Sequence, residues 1–119
     1  RPSDTLNDKK LVLLEENFKL FVLLLSKDNY IEAKKLISDK IINTVTFDVL
    51  KQIKQSIRIN NKLRLDLFRN GIKVLEDGNS YPMLEYKYSD DLASPPKEYI
   101  EVLFDSSNKI IGLHPMKRD

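Results

Sequence analysis

The first sixty residues carry apolar positions at helical spacing. In the first segment these are Leu11, Leu14, Phe18, Phe21, Val22 and Leu25. A repeat of three and four positions is the spacing of one helix face, so the pattern predicts a helix over 8–25, with Asn7 or Asp8 as its N-cap. Leu20, Leu23 and Leu24 widen the apolar stripe, which predicts that this helix is buried on more than one side. Similar spacing predicts a second helix over 29–39, with Asp28 or Asn29 as its N-cap. It also predicts a third helix over 46–58, with Thr44 or Thr46 as its N-cap.

The period of the pattern changes from helical to two residues after Asn60-Asn61. Alternation of this kind is typical of strands, and it predicts strands over 62–69, 72–76, 81–88, 98–104 and 109–114. Asn70-Gly71 predicts a tight hairpin, and Asp77-Gly78-Asn79 predicts a second turn. The order of elements predicts an α+β fold. Three N-terminal helices pack on one face of a curved, mainly antiparallel sheet of about four strands, in a single domain over 7–119 after a tail at 1–6.

The closing hairpin can be assigned a register from its apolar residues. A loop centred on Ser106-Ser107 pairs Val102 with Ile111 and Ile100 with Leu113, which places these aliphatic side chains on the face that the helices cover. The full set of predicted inward positions is Leu63, Leu65, Leu67, Leu84, Tyr86, Ile100, Val102, Ile111 and Leu113.

The opposite face of that hairpin is predicted to carry Tyr99, Glu101, Leu103, Ile110 and His114. Because Tyr99, Leu103 and Ile110 are large and apolar, they form a possible interface for a homodimer or another protein. The alternative is that the C-terminal residues 115–119 or the loop 89–97 fold over them.

Composition excludes several classes of site. The chain has 20 basic and 18 acidic residues, a net charge of +2, one histidine and no cysteine. A balanced charge does not favour nucleic-acid binding, and the absence of cysteine removes disulfides and thiolate sites. No cofactor or metal site is predicted. The longest apolar run, Leu20 to Leu25, has six residues, far fewer than the roughly 20 that a membrane-spanning helix needs. No membrane insertion is therefore expected of the sequence shown.

Three groups of side chains could carry chemistry, and each has a plainer interpretation. His114 could act as a general base, but its place near the end of the last strand favours a surface histidine. Glu85 and Glu101 could exchange protons, but they lie out of phase with the core and are predicted to be solvated. The tyrosines could form an aromatic platform, although some share phase with Leu84; they are Tyr81, Tyr86, Tyr88 and Tyr99. No catalytic residue is assigned.

Several segments resemble small bacterial domains of the nuclear-transport-factor-two-like superfamily, the cystatin-like cone or roll. They are FKLFVLLLSKDNYIEAKKLIS from Phe18, TFDVLKQI from Thr46 and IEVLFDSSNKIIGLHP from Ile100. The last one is similar to the ending of uncharacterised extracytoplasmic domains of Gram-positive bacteria, secreted or lipid-anchored. The resemblance implies a cone-like fold that hosts enzymes, ligand-binding domains and structural modules alike, so the fold does not select an activity.

The leading hypothesis is a non-catalytic binding or protein-interaction module outside the cytoplasm, exported or anchored through a segment not present in this sequence. One alternative is a small isomerase or dehydratase with its pocket between sheet and helices. Another is an extracytoplasmic subunit of a conjugation-type secretion machine. A buried, unpaired acid or base inside the cone would distinguish the enzyme, and none of the predicted inward positions is an acid or a histidine.

Overall fold

The computed structural model describes residues 5–118. Its helices are α1 (Asp8–Ser26), α2 (Tyr30–Lys34), a 3₁₀ turn (Ile42–Thr44) and α3 (Phe47–Ser56). Its strands are β1 (Leu65–Val74), β2 (Ser80–Tyr88), β3 (Glu98–Phe104) and β4 (Ile110–Lys117). The strands pair antiparallel in the order β1-β2-β3-β4, so the predicted α+β fold with its four-stranded sheet is confirmed.

Each α-helix begins where a polar side chain caps it. Asn7, Asn29 and Thr46 accept hydrogen bonds from backbone N–H groups in the first turns of α1, α2 and α3. Helix α2 ends at Lys34, so the prediction of a helix to 39 is wrong. Residues 36–38 instead lie along β4, where Leu36 O accepts from Ile110 N and Ser38 N donates to Ile110 O, each at 2.8 Å. The backbone groups that would continue the helix are used in this short parallel bridge.

Strand β1 runs without interruption through Asn70 and Gly71, so the predicted hairpin at this point is wrong. Asn70 pairs with Leu84 and Gly71 with Met83 in one long ladder. The chain turns instead at the second predicted position, where Gly78 has a φ of 84° and Asp77 accepts from Asn79 N at 2.8 Å. A turn there lets a ten-residue strand pair along its length, which an earlier turn would prevent.

The core lies between the helices and one face of the sheet. From the helices it includes Leu14, Phe18, Phe21, Leu25, Ala33 and Leu50, and from the sheet Leu84, Tyr86, Ile100, Val102, Phe104 and Ile110. Leu6, in the predicted N-terminal tail, packs against this core and donates its backbone N–H to Asn70 Oδ1. Residues 1–4 of that tail lie outside the described residues.

The register of the β3–β4 hairpin differs from the prediction. A bulge between Leu103 and Phe104 shifts the ladder, so that Val102 pairs with Leu113 and Phe104 with Ile110. Ile110 therefore belongs to the helix-side core, where it is 2% exposed. Its predicted place on the opposite face is wrong, and Ile111, predicted inward, is not part of the core.

Candidate functional site

The face of the sheet turned away from the helices, here called the outer face, carries a row of charged residues across all four strands. Arg69 on β1 pairs with Glu85 on β2, Glu85 with Glu101 on β3, and Glu101 with His114 on β4. Three of these four residues, Glu85, Glu101 and His114, are candidates from the sequence alone, and the sheet brings them side by side. The fourth, Arg69, was missed because the bulge between Leu67 and Arg69 breaks the alternation that would have assigned its face.

The two glutamates of this row are buried, so the prediction that they are solvated is wrong. Glu85 is 1% and Glu101 4% exposed. Arg69 Nε donates to Glu85 Oε1, and this hydrogen bond raises the pKa of the arginine. Lys73 Nζ donates to both carboxylate oxygens of Glu101, at 3.0 and 2.8 Å. Each buried carboxylate is thus neutralised by a cation whose long side chain lies against the sheet.

His114 lies on the outer face, as predicted, with its side chain 53% exposed. Its Nδ1 is 3.3 Å from Glu101 Oε1, an arrangement of histidine and carboxylate that general-base catalysis uses. Here, however, Lys73 already satisfies the carboxylate. The residues that line the open groove beside the row, of about 760 Å³, include Lys73 and Glu101 but not His114. The row is therefore explained as a charge network within the sheet, in which each cation offsets the burial of a carboxylate.

The four tyrosines do not form a platform. Tyr86 and Tyr88 face the helices, where the Tyr88 hydroxyl donates to Ile57 O at 3.0 Å and burial raises the pKa of that tyrosine. Tyr81 and Tyr99 share the outer face with Lys73 and Glu101. Tyr99 packs edge-on against Phe68 with 5.6 Å between ring centroids. The set is divided between the two sides of the sheet.

Most of the predicted interface on the outer face is covered. Leu103 is on that face but only 2% exposed, beside Met83 and Gly112. Ile110 lies in the core. Of the three predicted interface residues, Tyr99 is therefore the one whose side chain is partly exposed on the outer face. The strand β4 continues through Lys117, so residues 115–117 extend the sheet and do not fold over it.

An exposed apolar surface is present instead on α1, opposite its buried side. It consists of Val12, Leu13, Leu20 and Leu23, which are 53, 42, 45 and 49% exposed. We call these four residues the α1 stripe. The prediction that α1 is buried on more than one side is therefore wrong for the described residues, because nothing among them covers Leu20 or Leu23. The signal was present in the sequence as the broad apolar stripe, which indicates a second contact without saying whether the same chain supplies it.

The α1 stripe has the spacing of a helix–helix seam. Leu13, Leu20 and Leu23 lie on one line of positions separated alternately by four and three residues, as in the a and d positions of paired helices, and charged residues occupy the other positions of this line, 9, 16 and 27. Lys9, Lys19 and Lys27 surround the stripe and Glu16 interrupts it, and all four charged residues are exposed. The surface thus combines an apolar seam with an excess of positive charge.

Over residues 5–118, no group of three or more acidic or histidine side chains is placed to hold a metal ion. Within the same range, none of the helices has the length and apolar character needed to cross a bilayer. Comparisons with protein-family models, with curated protein sequences and with solved structures find no match to this chain.

Proposed function

We propose that this domain is a non-catalytic protein-interaction module that binds an amphipathic helix of a partner protein along the α1 stripe. The observation that carries the proposal is the row of four half-exposed aliphatic side chains on the outward side of a helix whose other side is fully buried. Apolar side chains concentrated on one surface in this way mark contact sites, and an amphipathic helix binds through anchors at i, i+3, i+4 and i+7.

The positions of the acidic groups support binding over catalysis. The core cluster between helices and sheet consists of apolar and aromatic residues. The buried carboxylates of the described residues lie elsewhere: Glu85 and Glu101 on the outer face, each beside a cation, and Asp105 in the β3–β4 turn. An isomerase or dehydratase with its pocket between sheet and helices needs an acid or base there.

Charge favours a different protein over a second copy as the occupant. Pairing the stripes of two copies would bring together Lys9, Lys19 and Lys27 from each, with only Glu16 and the exposed Asp8 of each to offset them. A helix with an apolar seam and acidic flanks would meet Lys9, Lys19 and Lys27 with complementary charge. As part of the same proposal this contact lies outside the cytoplasm, which the resemblance of the closing hairpin to extracytoplasmic domains supports, and a subunit of a secretion machine would be one such setting.

The test uses a synthetic 21-residue helical peptide with leucine at the seam positions and glutamate beside them. We expect micromolar binding to the wild-type domain, and at least tenfold weaker binding when lysines replace the glutamates of the peptide. Leu20→Gln with Leu23→Gln should weaken binding at least tenfold without unfolding the domain, because surface substitutions change stability little. Leu92→Gln, at an 88% exposed leucine far from α1 in sequence, is the matched control and should leave binding unchanged.

Equal binding of the acidic and basic peptides, or full binding by the double variant, would refute the proposal. Sedimentation velocity at about 100 µM, well above a micromolar dissociation constant, provides the other decisive measurement. A mass of two chains that falls to one in the double variant would mean that the occupant is a second copy.

A further inference from the structure

Glu16 lies at the centre of the α1 stripe. It follows Val12 and Leu13 by four and three positions, and it precedes Leu20 and Leu23 by four and seven. Residues three, four and seven positions apart occupy the same side of a helix. All four members of the stripe are therefore arranged around this one glutamate, which is itself exposed.

A helix that binds along the α1 stripe also covers Glu16, because apolar residues of the stripe lie on both sides of it along α1. Covering an unpaired carboxylate removes its water at a considerable cost in free energy. None of the ion pairs within residues 5–118 includes Glu16. Its charge therefore needs a cation when the partner binds.

Lys19, three positions further along α1, is the nearest candidate within the chain. It is exposed and forms no ion pair with Glu16. To neutralise the carboxylate beneath a partner helix, its ammonium group would have to lose water as well, which adds a second desolvation cost. A cation on the partner meets Glu16 directly and leaves Lys19 free to attract the acidic flanks.

We propose that the partner helix presents a basic residue, arginine or lysine, to Glu16 from within its own apolar seam. This inference rests on the proposed function and specifies the partner further, as a helix with acidic flanks and one cation among its seam residues. A single polar residue in such a seam sets the register of paired helices. Arginine suits the position best, since its planar group donates two parallel hydrogen bonds to a carboxylate.

The place of Glu16 along the seam determines where the partner carries this cation. Of the six seam positions 9, 13, 16, 20, 23 and 27, Glu16 is the third. A partner parallel to α1 needs its basic residue at the third of its own six positions, and an antiparallel partner needs it at the fourth. Antiparallel helices bring ends of opposite partial charge together, so we expect the fourth position.

The test compares three 21-residue helical peptides with glutamate flanks. One has leucine at all six seam positions, and the other two have arginine at the third or the fourth. By fluorescence anisotropy, we expect the fourth-position peptide to bind wild type at least fivefold more tightly than the all-leucine peptide. With Glu16→Leu the order should reverse, and with Glu16→Gln the advantage of arginine should disappear. Glu76→Leu, at an exposed glutamate in the turn after β1, is the matched control and should keep the wild-type order.

Circular dichroism should show that these variants are folded, because surface substitutions change stability little. A preference for arginine at the third position would support the cation and make the partner parallel. Arginine peptides that bind wild type no better than the all-leucine peptide would overturn this inference and leave the proposed function standing. If none of the three peptides bound, the proposed function would fail and this inference with it.

Discussion

The two faces of the sheet bury similar fractions of their central residues by different means. On the helix side, Ile100 and Val102 are fully buried beneath side chains of the helices. On the outer face, Glu101 and Leu103 of the same strand are 4% and 2% exposed, although no helix is among the partners identified for Glu101 there. Its neighbours are Lys73 and His114, whose side chains reach across the strands. Low exposure on a sheet therefore does not by itself indicate a second packed layer.

The difference has an energetic consequence. The helix-side face is stabilised by apolar area removed from water, which contributes roughly 25 cal/mol per Å². The outer face contains two buried carboxylates, and their burial is tolerable only while each cation remains in place. We expect the helix-side face to determine whether the chain folds, and the outer face to adjust how stable the fold is.

The largest effect is expected from Val102→Asp on the helix side. It would bury an unpaired charge in the core, which costs more than about 4 kcal/mol. A cost of this size removes most of the free energy of unfolding of a marginally stable domain. We expect loss of the cooperative thermal transition in circular dichroism. Tyr99→Asp, on the same strand but half-buried on the outer face, is the control and should remain folded. A well-folded Val102→Asp domain would contradict the assignment of the two faces.

An intermediate effect is expected from Arg69→Ala on the outer face. The change leaves Glu85, 1% exposed, without its cation, and should cost about 1–3 kcal/mol in urea unfolding because a buried charged group loses its partner. Replacing the pair together, as Arg69→Met with Glu85→Leu, should recover most of this loss. If the double variant were as unstable as Arg69→Ala, the glutamate would not be the source of the cost.

A smaller effect is expected from Asp105→Asn in the turn between β3 and β4. Asp105 accepts from Ser107 N at 2.8 Å and Lys109 N at 3.0 Å. Burial by itself would raise the pKa of Asp105, but the hydrogen bonds from Ser38, Lys109 and Ser107 outweigh it and lower the pKa below the ordinary value of 3.8. The carboxylate therefore stabilises the fold fully above about pH 4, and this contribution is lost as the pH falls through the lowered pKa.

At pH 7 we expect Asp105→Asn to cost about 1 kcal/mol. The gap between variant and wild type should narrow below pH 4. Urea unfolding measured from pH 7 to pH 3 provides the check, and a gap that widens with acid would contradict the lowered pKa.

Local signals in the sequence predicted most of the architecture. Helix caps at Asn7, Asn29 and Thr46 depend on side chains three residues or fewer from the groups they satisfy, so sequence alone could identify them. The early end of α2 depends on Ile110, which lies more than seventy positions away along the chain. Periodicity within a segment carries no information about such a partner.

The errors in the candidate site have the same origin. Asn70-Gly71 has the composition of a tight turn, but a second turn signal seven residues later competes with it, and pairing along the longer ladder determines which one forms. The bulges at Leu67/Arg69 and Leu103/Phe104 each displace the alternation by one position. Because of this displacement, strict alternation does not predict the face on which Arg69 lies, and it predicts the wrong face for Ile110. The buried hydroxyl of Tyr86, which has no hydrogen-bond partner within residues 5–118, could not be foreseen, because hydrogen bonding depends on what surrounds a residue in space.

The bridge between residues 36–38 and Ile110 also bears on association between molecules. Strands at the border of a sheet present free N–H and C=O groups on which another chain can assemble, and proteins limit this growth by covering or interrupting the border. In β4 both backbone groups of Ile110 are occupied by Leu36 and Ser38. Five positions later, Pro115 has no N–H to offer. Residues 36–38, whose pairing with Ile110 ends α2 early, thus also help to prevent another chain from pairing along β4.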